Sequence, residues 1–230
     1  MRNALYSGLM ALTLAMPAQA RDDLKTTEQA RVECLDSQLG NEHVTRAQIY
    51  GVPDARPYVK LREELAQHAQ YNCNLEEKLD TAALTLETLD TYLGVEKGIV
   101  GIATKYLQKA KAQIAERKDV VAKAVTELSK ITQESELATI GLSVYAHQLQ
   151  GAKQTKGVVD SVGELIHNQF VIAYDAAKEN GFKGISEEGK LIVEMVPVAW
   201  DSISVREAVD MIYPPAMPTL PEPVIESMFE

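Results

Sequence analysis

The sequence predicts an all-α fold: an elongated antiparallel bundle of long helices, with one disulfide and a proline-rich C-terminal tail. Three observations carry this. Prolines stand at 53 and 57 and again from Pro214 to Pro223, so Tyr58 to Val196 is free of the residue that breaks helices. Within that run apolar residues recur at three- and four-residue intervals, the period of a helix face. Composition agrees: aromatics are 6% of 230 residues, and Ala, Leu, Glu, Gln and Lys, all strong helix formers, fill the middle. Sustained alternation of apolar and polar residues, the mark of a half-buried strand, does not occur.

The first 20 residues read as an export signal. Met1-Arg2-Asn3 begins positive, Ala4 to Met16 is apolar, and Pro17-Ala18-Gln19-Ala20 closes with a small-x-small pattern. Cleavage is expected after Ala20. The apolar stretch is shorter than the roughly 20 residues that span a bilayer, and no later segment has the length and apolarity to do so. The expected location is therefore the periplasm or the exterior, and the expected layout has three parts. Residues 1–20 are the signal, 21–182 a helical bundle with a disulfide-clamped N-terminal helix pair, and 183–230 short helices with an acidic tail packed on or beside the bundle.

The first mature helix is expected over Asp23 to Leu39, with Val32, Leu35 and Leu39 on one side and Gly40-Asn41 as its stop. Residues 41–57 form a connection. Pro57 opens a second helix whose stripe is Leu61, Leu65, Ala69, Cys73, continued by Leu79, Ala82, Leu86, Leu89 and Leu93 to Gly94. The spacing of Gly94, Gly98 and Gly101 reads as a turn between helices, since Glu96 and Lys97 interrupt any membrane helix-pairing motif. A third helix starts near Gly98 and carries Ile99, Ile102, Tyr106, Ala110, Ile114, Val121, Val125 and Leu128, with Thr132 to Glu136 as an interruption before Leu149. Gly151 and Gly157 bracket a polar turn, and a fourth helix over Val158 to Lys178 ends at Asn180-Gly181. Ser186 caps a short helix that Pro197 should stop. Ser204-Val205-Arg206-Glu207 reads as a capping box opening another short helix, and from Pro214 to Pro223 the chain is expected to be extended.

Cys34 and Cys73 are the only cysteines, 39 residues apart, without a CxxC spacing or a histidine cluster. In an oxidising compartment that pattern predicts a structural disulfide. Closing a loop of that length contributes roughly 4 kcal/mol in the chain-entropy model. Removing residues 1–20 takes away Arg2 and no acid, leaving 22 basic against 33 acidic residues. Such a balance disfavours nucleic acid as a partner, which needs clustered cations. Charge is nonetheless uneven. Lys105 to Lys130 holds seven bases against three acids, while residues 185–230 hold nine acids against two bases. The acidic C-terminal region is thus expected either to pack on the basic helix or to engage a different partner.

Catalytic and cofactor motifs are not found. The histidines His43, His68, His147 and His167 lie in no metal-ligand spacing. Glu164-Leu165-Ile166-His167 is a single Glu-x-x-His, where helical di-iron sites use two. The pairs Glu63-Glu64, Glu76-Glu77 and Glu187-Glu188 read as solvated faces, because helix neighbours point about 100° apart. No catalytic residue, cofactor or metal is therefore assigned. The candidate partner-binding residues are Trp200, Tyr213, Pro214, Pro215, Met217 and Phe229, an aromatic and proline-rich set suited to groove docking.

In organisation, a signal segment followed by long helices, the chain resembles minor pilus subunits of bacterial type IV secretion and conjugation machines. That resemblance implies an exported helical bundle. The expected function is a non-enzymatic binding or structural component of the cell envelope, such as a secretion, conjugation or pilus accessory. Its partners would be other envelope or secreted proteins, with self-association among the options. The alternatives are a secreted helical effector or pore-forming toxin and, behind it, a periplasmic helical enzyme.

Overall fold

The computed structural model describes residues 27–40, 56–129 and 149–212. These form five α-helices: α1 (Thr27–Leu39), α2 (Arg56–Thr91), α3 (Lys97–Leu128), α4 (Ala152–Glu179) and α5 (Glu187–Ile212), with a 3-10 turn at Leu149–Gly151 before α4. No strand occurs among the described residues. The signal segment, the 41–55 connection, the stretch 130–148 and the tail from Tyr213 lie outside them.

α2 is the hub, packing on α1, α3, α4 and α5. Because neighbours surround it, it buries two adjacent residues on most turns, Leu65 with Glu64, Ala69 with His68 and Cys73 with Asn72. Two separate cores result. The larger joins Leu75 to Leu89 of α2 with Ala103 to Ile114 of α3, Val159 to Phe170 of α4 and Val193 to Ile203 of α5. The smaller joins Leu65 and Ala69 with Val121, Ala124, Val125, Leu128 and Leu149, flanked by Leu35 and Leu39 of α1.

Helix ends follow local chemistry. Gly94 takes φ +61 after α2, a conformation open to glycine without side-chain cost, while the Leu93 and Val95 amides donate back to the Thr88 and Leu89 carbonyls. After α4 the Gly181 amide reaches Lys178 and the Phe182 amide reaches Ala177, the paired bonds of a Schellman stop at Asn180-Gly181. Phe182 itself sits at φ 55, an unfavourable place for an aromatic residue, and its ring is held by Tyr174 at 5.9 Å. Ser186 caps α5 by accepting the Gly189 amide at 3.1 Å. Glu187 and Glu188 follow in the first turn, where carboxylates suit the helix dipole.

Several expectations are corrected. Val32 of α1 is exposed, and the buried positions are Cys34 and Gln38, one step round the helix. Gly157 lies inside α4, which begins at Ala152, so no second glycine bounds that turn. Gly98 and Gly101 belong to the first turns of α3 and leave Gly94 as the turning residue. Pro197 does not stop a helix: α5 runs through it, and Ser204 is mid-helix rather than a cap. A proline inside a helix costs about 3 kcal/mol. Here Val193, Val196, Trp200 and Ile203 form one buried row across it, so breaking at Pro197 would lift Trp200 out of the core.

Candidate functional site

Between the two cores lies a buried polar layer, built where α1, α2 and α3 meet. Cys34 and Cys73 form a disulfide with Cα atoms 5.9 Å apart, fixing α1 to α2. A helix of 13 residues is marginal alone, so this bond and Gln38 hold it. Gln38 Nε2 is 3.2 Å from Cys73 Sγ and donates to the Ala69 carbonyl at 3.3 Å. Its Oε1 accepts from Asn72 Nδ2 at 2.9 Å. Asn72 Oδ1 in turn accepts from Arg117 Nε of α3 at 3.1 Å, and Arg117 Nη1 reaches the Leu149 carbonyl at 3.4 Å. The chain of bonds thus runs from α1 through α2 to α3 and the turn before α4. Outside it, Lys118 of α3 pairs with Glu76 of α2 at 2.8 Å.

One and two turns before Asn72 on the same row of α2 stand His68 and Glu64, also buried. Both His68 nitrogens, both Glu64 carboxylate oxygens and Arg117 Nη2 have no hydrogen-bond partner, a rare condition for buried polar groups. Burial, reinforced by the positive charge of Arg117, holds the His68 imidazole down to about 4, so it is neutral at neutral pH. Burial raises the Glu64 carboxyl, with Lys60 pulling the other way. Burial also lowers Arg117, which is held by neutral acceptors. Glu64 is thus not the solvated residue its Glu63-Glu64 pairing suggests, although Glu63 is exposed.

The larger core has its own polar fastening. Trp200 of α5 is buried, and its Nε1 donates to Thr85 Oγ1 of α2 at 2.8 Å. Its six-membered ring lies 3.4 Å from where a Cβ on Gly163 of α4 would stand, so glycine lets the indole approach the helix backbone. Lys78 of α2 reaches Asp160 of α4 at 2.9 Å, and Lys156 pairs with the same carboxylate. Burial opposes ionisation of Asp160, but these two lysines outweigh it and hold the carboxyl below its usual range.

The sequence-predicted residues fall into three groups. Cys34 and Cys73 are joined as expected. Trp200 is placed inside the bundle, a core residue rather than a free docking group, because its bulk fills the space between α2 and α4. Tyr213, Pro214, Pro215, Met217 and Phe229 lie outside the described residues. The Glu164–His167 motif is split: Glu164 is exposed, and the His167 ring packs on Trp200 at 4.8 Å. Among the described residues no group of three or more His, Cys, Asp or Glu side chains is arranged to hold a metal ion.

What the sequence reading missed is on the surface. Ile99, Ile102 and Tyr106, assigned to the buried stripe of α3, are exposed; Ile102 and Tyr106 are 57% and 54% accessible. On α5, Leu191, Val198 and Val205 recur every seven residues and are 59%, 49% and 55% accessible. α5 therefore has apolar residues on both its buried and its outer side, whereas a surface helix usually confines them to one. Seven-residue spacing on α5 was visible in the sequence, but the expected break at Pro197 concealed it. No family model, characterised protein or solved structure matches this chain.

Proposed function

We propose that this chain is an exported, non-enzymatic binding or structural component of the bacterial cell envelope that acts through protein contacts. The observation that carries the reading is the pair of exposed apolar rows on α3 and α5, each beside a row of charge, on a bundle whose cores are already filled from within. Exposed rows of this kind mark contact surfaces. The disulfide supports export, since such bonds persist in oxidising compartments, and the charged start, apolar middle and Ala-Gln-Ala ending of residues 1–20 agree. No helix among the described residues is long and apolar enough to cross a membrane. An accessory role in a secretion, conjugation or pilus assembly is the finer form of the proposal.

Photo-crosslinking in intact cells tests it. A photoreactive residue replacing Ile102 or Val198 should give discrete adducts with identifiable envelope proteins or with the chain itself. The same probe at Asp175, an exposed polar site on α4, should give few. Recovery of the chain in the cytoplasm with residues 1–20 intact, or no adduct at either apolar position, would count against the reading.

A further inference from the structure

The two exposed rows differ in charge, and the difference suggests what covers them. On α5, Glu187, Glu194 and Asp201 repeat with the same seven-residue spacing as Leu191, Val198 and Val205. Seven residues nearly complete two turns, so an acidic row runs directly beside the apolar one, and all three acids are exposed. On α3, Lys105 and Lys109 lie one turn apart beside Ile99, Ile102 and Tyr106, and both are exposed. Residues 97–115 contain Lys97, Lys105, Lys109 and Lys111 and no acid. Lys111 is engaged by Asp80 of α2, but no ion pair joins Lys105, Lys109, Glu187, Glu194 or Asp201 among the described residues.

These faces are complementary to each other and repel themselves. Two α5 faces brought together would oppose carboxylate rows, and two α3 faces would oppose lysines; like charges juxtaposed at a contact disfavour it strongly. An α3 face against an α5 face matches apolar to apolar and cation to anion. Within one chain the two do not meet: α3 packs on α1, α2 and α4, whereas α5 packs on α2 and, through Trp200, on α4.

We infer that the α5 face of one copy seats on the α3 face of a second copy, giving head-to-tail self-association. This rests on the reading of the chain as a protein-contact component and names its partner. Because the joined surfaces differ, each added copy leaves one α3 face and one α5 face open. The assembly therefore grows into a ring if the rotation closes and into a filament if it does not.

Sedimentation velocity on the purified full chain, with two blocked variants, tests this. Ile102→Glu with Tyr106→Glu disables the α3 face, and Val198→Glu with Val205→Glu disables the α5 face. All four positions are exposed, so unchanged circular dichroism melts should show that both variants fold. The wild-type chain should increase in mass with concentration beyond a dimer, and high salt should weaken it. Each variant alone should remain monomeric. An equimolar mixture should form a dimer containing one copy of each and stop there, because the single productive contact uses the intact α5 face of one and the intact α3 face of the other.

A wild-type chain that stays monomeric throughout overturns the inference, as does a dimer that survives the α3 substitutions, which would mean α5 pairing with itself. A mixture that fails to dimerise also overturns it. So does association that appears only after residues 213–230 are deleted, since the chain's own tail would then be the occupant. A monomeric chain that still crosslinks to envelope proteins through Ile102 or Val198 would remove self-association while leaving the proposed function standing.

Discussion

Where the second half of α2 meets α3, α4 and α5, packing is almost wholly apolar: Leu79, Leu89, Ile114, Ile166 and Phe170 are fully buried, with Trp200 seated against them. Where the first half of α2 meets α1 and the end of α3, the buried set includes Glu64, His68, Asn72, Gln38 and Arg117 beside a disulfide. The first region is held by area removed from water, which is indifferent to redox state and proton concentration. The second is held by a covalent bond and directional hydrogen bonds, which fix how α1 lies on α2 but respond to both. One chain thus combines an unconditional core with a conditional clamp.

The largest effect should come from the apolar region. Trp200→Ala is expected to cost about 3–5 kcal/mol in denaturant unfolding, while Trp200→Phe, which keeps most of the ring and loses the bond to Thr85, should cost about 1 kcal/mol more than a neutral swap. Equal losses for both would mean that the hydrogen bond, and not packing, holds α5. Next in size is the clamp: Cys34→Ser with Cys73→Ser should lower stability by roughly 2–4 kcal/mol. If the loss matched that of Trp200→Ala and abolished the fold, the two regions would not be separable.

The smallest of these effects concerns pH, and its sign follows from His68. An ordinary histidine titrates near 6.5, and burial with Arg117 nearby holds this one at about 4. Unfolding then takes up a proton whenever the pH lies between those values. The contribution of His68 is therefore fully present above pH 6.5 and is lost as pH falls toward 4. Glu64 has the opposite sign, because its raised pKa favours the folded state in acid. His68→Leu should flatten the acid side of the unfolding free energy against pH by up to about 3 kcal/mol. An unchanged slope would show that His68 does not govern the clamp.

Much of the frame was legible. Four-residue stripes located α2, α3 and α4, Asn180-Gly181 marked the end of α4, and Ser186 marked the start of α5. The joined pair Cys34–Cys73 followed from the absence of any competing cysteine. The polar layer was not legible for a physical reason. Glu64, His68 and Asn72 share a row of α2, but polar residues on a helix normally mark its wet side, and only encirclement by other helices turns that row inward. α5 failed differently: Pro197 is a strong local break signal, overridden by Val193, Val196 and Trp200 packing on either side of it. Ile99, Ile102 and Tyr106 fit the apolar period of α3 yet face out, since periodicity alone does not say which part of a broad stripe other helices cover.

Hydrogen exchange with and without reductant tests most directly the claim that one region is conditional and the other is not. Opening the disulfide should release amides in Thr27–Leu39, Leu65 to Ala69 and Val121 to Leu128, while Leu79 to Leu89 and Val159 to Phe170 keep their protection. Loss of protection spread evenly over all five helices, or no change in α1, would contradict it.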